Sequence, residues 1–134
     1  MHTPHQGGTG QGLDRAGLAA EIAKVALLRG QFTLRSGRTS TYYLDKYLFS
    51  TQPRVLDRLG DLFAERIAAL EARIGGRPDR LAGAELGGIP LVTAASLKTG
   101  IPCLFVRNAK KDYGTAKQLE GALERGQRVV LLED

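Results

Sequence analysis

Three stretches of the chain, "RLAGAEL" (residues 80–86), "IPCLFV" (101–106) and "RVVLLED" (128–134), are short apolar runs without polar alternation. A strand with one wet face alternates, whereas a strand buried on both faces reads as a continuous run, the pattern of a parallel sheet with cover on its two sides. Between the first two lies "LVTAASLKTG", a helical stretch ended by Gly100, with "GGIP" as the turn that leads into it. Strand, helix, strand, loop, strand in this order predicts an α/β fold around a mainly parallel sheet.

The front of the chain follows other periods. In "LDRAGLAAEIAKVALLRG" the residues Leu18, Ile22, Val25 and Leu28 share one helical face, and Gly30 closes the helix. "QFTLRSG" reads as a short extended piece, and "TSTYYLDKYLF", β-branched and aromatic, as a second strand. Pro53 opens a longer helix with Leu56, Leu59, Phe63, Ile67 and Leu70 in register, which "GGRPD" breaks.

At 134 residues the chain suits one domain with a modest core. Residues 1–12, "MHTPHQGGTGQG", are polar and Gly-rich and are expected to form a disordered lead to a domain over 13–134. That lead has no apolar centre of the kind a signal peptide needs, and no run approaches the ~20 apolar residues of a membrane span. His2 and His5 are too sparse to hold a metal. Cys103 is the single cysteine, so an internal disulfide is excluded and a reducing cytoplasm fits; its apolar setting suits an inert thiol better than a nucleophile. The net charge of +5 favours anionic partners: nucleic acid, phosphorylated metabolites or acidic surfaces.

The final strand sets Glu133 and Asp134 at its carboxyl end, and in open parallel sheets ligands gather outside such ends. A strand like Val129–Leu132 also calls for helical cover, so the chain is expected to be the front part of a longer polypeptide, a domain incomplete at its carboxyl side. By itself, an acidic pair after an apolar run is equally a solvated strand end. Three other stretches bear on it.

"FVRNAKKDYGTAKQLEG" (105–121) delivers Arg107 from a strand and carries Lys110, Lys111 and Lys117 around Tyr113-Gly114, a loop able to close on a polyphosphate or simply a solvated basic loop. In "FTLRSGRTSTYY" (32–43), Arg35 and Arg38 flank a Ser-Gly turn, and Tyr42 and Tyr43 follow. Cation and ring together can hold a planar anion. Neighbouring strand residues face opposite ways, so at most one of the two tyrosines can stack on a ligand, and a purely structural pair has the same appearance. In "AELGGIPL" (84–91), Gly87-Gly88 lets backbone N–H groups approach an anion at a helix start, or is an ordinary tight turn. It lacks the three-glycine dinucleotide pattern.

Taken together and in order, "FTLRSGRTSTYYLDKYLF", "GAELGGIPLVTAASL", "FVRNAKKDYGTAKQLEGAL" and "RVVLLED" resemble the orotate phosphoribosyltransferases, of the type I phosphoribosyltransferase family, over about residues 18 to 134. The resemblance implies a parallel sheet flanked by helices under a small N-terminal hood of helix and strand. It implies transfer of the ribose 5-phosphate group of phosphoribosyl pyrophosphate (PRPP) to orotate in pyrimidine (UMP) biosynthesis. Mg²⁺ would be carried by PRPP with no direct protein ligand. The enzyme would be a cytoplasmic homodimer with shared active sites, without membrane or nucleic-acid partners. In the family the acidic pair opens the PRPP motif, and the residues after it wrap the 5′-phosphate. Carried onto this chain, Arg107 and Lys111 would be catalytic and contact the diphosphate in the neighbouring subunit, with Lys110 and Tyr113 beside them. Arg35, and the backbone of Leu86 and Gly87, would approach PRPP. Glu133 and Asp134 would hold the ribose hydroxyls, and Tyr42 and Tyr43 would lie near orotate.

The chain departs from the family pattern at Asn108, often a lysine; at Gly87, a lysine in some relatives; and at Tyr113, often a histidine. Without the phosphate loop, residues 1–134 alone are expected to turn over PRPP poorly. Two alternatives remain: a type I phosphoribosyltransferase for a purine base, and a non-catalytic RNA-binding or regulatory module using the positive charge.

Overall fold

The computed structural model describes residues 14–109, 112–114 and 117–134. The expected disordered lead lies outside the described residues, as do Lys110 and Lys111.

Helix α1 (Arg15–Ala26) begins where Asp14 accepts a hydrogen bond from the Gly17 N–H at 2.9 Å. This satisfies one of the orphan donors of the first turn. Asp14→Ala is therefore expected to cost about 1 kcal/mol in chemical denaturation. The helix ends earlier than the apolar period suggests. Leu27 and Leu28 leave it to pair with Leu44 and Tyr43, so that β1 (Leu27–Thr33) and β2 (Thr39–Leu44) form an antiparallel ribbon. The ladder satisfies backbone groups that continued helix would otherwise hold. Val25 and Leu28 consequently stay exposed, while Leu18 and Ala26 are buried.

The second strand is also shorter than "TSTYYLDKYLF" suggests. Asp45 stops it: its carboxylate accepts from the Tyr47 N–H at 3.0 Å and caps α2 (Lys46–Ser50). Its own N–H donates to the Ala26 carbonyl at 2.9 Å, tying the start of α2 to the end of α1. Helix α3 (Pro53–Ile74) runs as the period requires, with Pro in its first turn and a left-handed Gly75 as its C-cap.

The remaining elements are β3 (Arg80–Ala84), α4 (Gly88–Thr99), β4 (Cys103–Val106), β5 (Leu119–Glu120) and β6 (Val129–Leu132). They form a four-stranded sheet in the order β5-β4-β3-β6, with β3 parallel to both β4 and β6 and the unforeseen short β5 antiparallel to β4. Helices α3 and α4 flank it. Ile67, Leu81, Val92, Ala95, Ile101 and Leu132 make one core cluster between helices and sheet. Each large side chain in it is worth roughly 1.5–3 kcal/mol of burial. A second cluster, Leu18, Val55, Leu59 and Leu91, joins α1 to α3 and α4. Cys103 packs partly buried against the first cluster.

The middle strand can meet α4 only because residue 83 has no side chain. A Cβ there would lie 2.7 Å from Val92 Cγ1 and 2.9 Å from the Gly88 carbonyl carbon. Gly88 is confined in the same way: a Cβ there would lie 3.3 Å from the Gly83 Cα and 3.3 Å from the Leu132 carbonyl oxygen. This contact seats the first turn of α4 at the carboxyl edge of β3 and β6.

Candidate functional site

From β3 the chain crosses through α4 to β4 on one side, and later returns to place β6 on the other side of β3. The connections therefore diverge at β3, and a crevice opens outside the carboxyl ends of β3 and β6. Such a switch point is where open α/β sheets bind ligands. Three things meet there: the Glu85-Leu86-Gly87 turn, the N-terminus of α4 and the end of β6.

Gly87 is the N-cap of α4 and provides no side-chain cap. The first-turn amides thus face the crevice with the positive end of the helix dipole. The peptide between Glu85 and Leu86 is cis, and the Leu86 side chain stands 66% exposed at the rim. Asp134 lies against Gly87 so closely that a Cβ on residue 87 would be 2.6 Å from its Cγ. The absence of a side chain at 87 is thus what admits the carboxylate.

Lys46, the first residue of α2, reaches across from the hood and forms an ion pair with Asp134 Oδ2. Its ammonium also sits 5.6 Å from the Tyr47 ring centroid. The hydrogen bond to Lys46 holds the Asp134 carboxyl below its ordinary range. The same bond raises Lys46, with smaller contributions from Asp134, Tyr47 and Tyr43. The ionised pair accordingly persists below the usual carboxylate titration and is lost as pH falls through the lowered Asp134 value.

Beside this group stands the root of the basic loop. Arg107 follows β4, donates its N–H to the Gln118 carbonyl at 2.8 Å, and pairs through Nε with Glu120 Oε1 at 3.0 Å. That hydrogen bond raises the guanidinium further above its ordinary value, and the nearby Tyr113 and Glu85 add to the effect. A guanidinium has five N–H donors, and this pair uses the one on Nε. Glu85 accepts from the Asn108 N–H, fastening the loop root to the end of β3. Tyr113 is exposed within the loop.

The structure therefore gathers Leu86, Gly87 and Asp134 at the crevice, with Arg107 attached to it through Asn108 and Glu85. Arg35 sits at the exposed tip of the β1–β2 hairpin, where Leu34 and Arg38 close the turn. Tyr42 is exposed on β2, and Tyr43 packs its ring 5.7 Å from that of Phe32. Glu133 borders a shallow groove of about 210 Å³ with Phe63, Arg66 and Ile67. The expected roles of Lys110 and Lys111 fall outside the described residues. Lys46 is the site residue that sequence reasoning missed, because it stood inside a stretch taken as one strand. The readable signal was Asp45, a capping residue placed before an apolar turn.

A further cavity of about 470 Å³ lies between α3 and α4, lined by Pro53, Leu56, Pro90 and Leu97. Its charged residues, Lys98 and Asp57, are paired with each other at 2.9 Å. An anionic sugar has little to hold there. Among the described residues no helix is long and apolar enough to cross a membrane, and no cluster of three His, Cys, Asp or Glu could hold a metal ion.

No family model matches the chain. It is 50% identical over 105 residues to the orotate phosphoribosyltransferase of Methanocella arvoryzae, covering 78% of this chain and 56% of that one. It is 47% identical over 119 residues to the orotate phosphoribosyltransferase of a Nocardioides species, covering 89% and 63%. The fold is similar to that of the Mycobacterium tuberculosis orotate phosphoribosyltransferase in complex with PRPP, with a TM-score of 0.63 and 31% identity over 88% of this chain and 62% of that one. The chain thus spans somewhat more than half the length of these relatives. Over the part of the fold that it spans, the chain belongs to the orotate phosphoribosyltransferase family.

Proposed function

We propose that the polypeptide carrying this span transfers the ribose 5-phosphate group of PRPP to orotate, giving orotidine 5′-monophosphate and pyrophosphate in pyrimidine (UMP) biosynthesis. The observation that carries this reading is the Asp134 carboxylate seated against Gly87 at the switch point, in a chain similar to a mycobacterial enzyme crystallised with PRPP.

In this reaction the bond from ribose C1 to the diphosphate oxygen breaks while a bond to the orotate ring nitrogen forms, and that nitrogen gives up its proton. Positive charge grows on the ribose and negative charge on the leaving diphosphate. Groups that meet those charges lower the barrier, and no protein nucleophile is needed. In our reading Asp134 and Glu133 accept hydrogen bonds from the ribose hydroxyls. The amides at Leu86 and Gly87, with the positive end of α4, face the diphosphate. Arg107, Arg35, Lys110, Lys111 and Tyr113 surround it, with Arg107 and Lys111 as the catalytic cations acting across a homodimer. Tyr42 and Tyr43 border the base.

Mg²⁺ belongs to this reading as a cation held by substrate oxygens and water, a mode that asks little of the protein. When bound, the ion would neutralise diphosphate charge. The single half-buried thiol suits the cytoplasm.

The test is orotate-dependent consumption of PRPP by the intact native polypeptide with Mg²⁺, set beside adenine, guanine and uracil. Orotate is expected to be the preferred base. A purine preferred over orotate, or no base-dependent release of pyrophosphate, would refute the assignment.

A further inference from the structure

We propose that Lys46 is a positioning residue of the phosphoribosyl site, holding the Asp134 carboxylate against Gly87 so that its remaining oxygen faces the sugar hydroxyls. The inference rests on the phosphoribosyl reading of the crevice and adds a residue from the hood to it.

Among the described residues, the other ion pairs stitch helix to helix or close the β4–β5 hairpin: Arg15–Glu65, Arg54 and Arg58 with Glu21, Lys98 with Asp57 and Asp61, and Arg107–Glu120. Lys46–Asp134 differs in what it joins, namely the first turn of α2 and the carboxyl end of β6. Both ends are fixed. Asp45 caps α2 and anchors its backbone to Ala26, so the Lys46 backbone has a set position, and the Tyr47 ring supports its ammonium. At the other end, the space left by Gly87 receives the carboxylate, whose side chain is 22% exposed.

A carboxylate has about four lone-pair sites. Lys46 engages Oδ2, which leaves Oδ1 able to accept from a vicinal diol. An ammonium at this point therefore orients the carboxylate without consuming it. It also makes the geometry of the sugar subsite depend on where the hood sits, since α2 follows directly on β2 and is tied to the end of α1 through the Asp45–Ala26 bond.

The experiment uses the intact native polypeptide and its Lys46→Met and Lys46→Arg variants. PRPP affinity is measured by calorimetry with Mg²⁺, and the Asp134 side-chain carbonyl resonance is titrated by NMR. Lys46→Met is expected to weaken PRPP binding about fivefold, the upper range for a partly exposed pair. It is also expected to move the Asp134 titration up towards ordinary carboxylates, and Lys46→Arg should restore both. Unchanged affinity in Lys46→Met, with wild-type binding intact, overturns the inference alone. Weakened affinity with an unmoved Asp134 resonance assigns Lys46 to direct ligand contact and overturns the positioning role. A wild-type protein that binds no PRPP overturns the phosphoribosyl reading, and this inference with it.

Discussion

Gly83→Ala is expected to lower the free energy of unfolding by about 3 kcal/mol, the upper range for forcing extra volume into a packed interior. The added methyl would meet the carbonyl of Gly88 and the Val92 side chain, 2.9 Å and 2.7 Å away. Of these, the Gly88 backbone is held in the first turn of α4 and cannot swing aside as the end of a flexible side chain can. Relief requires α4 to lift off the middle strand, and α4 supplies Val92 and Ala95 to the main core cluster. Thermal denaturation followed by circular dichroism should show a midpoint lower by roughly 10 °C. A midpoint within about 2 °C of wild type would mean that β3 and α4 do not approach this closely in solution.

That contact shows what the sequence could and could not tell. The continuous runs at 80–86, 101–106 and 128–134 announced β3, β4 and β6; Leu81, Leu104 and Leu132 are buried as such runs demand, while Phe105, Val129 and Leu131 stay exposed, short of the cover on both faces that the runs suggest. The long helix was equally plain, since Leu59 and Ile67 do face the core as its period demands. Errors arose where a local preference lost to a pairing with distant residues. Leu27 and Leu28 look helical, yet their backbone is claimed by Leu44 and Tyr43. The two residues of β5 form a strand only because Phe105 and Val106 lie alongside them.

The site divides in the same way. The Gly87-Gly88 turn and the acidic pair were legible as a loop and a strand end, but their meeting was not, because it depends on which side of β3 the last strand adds. Lys46 was hidden for a related reason. Nothing in "LDKYLF" states that a helix start beside the ribbon faces the end of a strand far along the chain. Gly87 itself has two consequences, of which sequence reasoning reached only the first. A missing side chain opens backbone amides to an anion, and it also makes the space in which Asp134 lies.

Gly87→Ala separates fold from site and should have the largest functional effect. The residue has φ −64° and ψ −31°, a conformation open to alanine, so the substitution adds no backbone strain. Exchanging glycine for alanine at an N-cap costs up to about 1 kcal/mol, a few degrees in the melting midpoint. The new methyl, however, would fall 2.6 Å from Asp134 Cγ. The obstacle is a short side chain, not backbone, so Asp134 turns away and the core stays intact. In turning it leaves Lys46 and withdraws an acceptor from the sugar hydroxyls. A hydrogen bond to a charged group is worth about 1.5–3 kcal/mol, so PRPP affinity should fall by roughly tenfold to a hundredfold. The expected signature is a fold that melts close to wild type, an Asp134 carboxyl that titrates in the ordinary range, and a weak calorimetric isotherm for PRPP. Gly83→Ala, by contrast, should move the melt first. If Gly87→Ala binds PRPP as tightly as wild type while its Asp134 titration is unchanged, the carboxylate does not occupy the space beside residue 87, and the sugar subsite must be built elsewhere on the sheet edge.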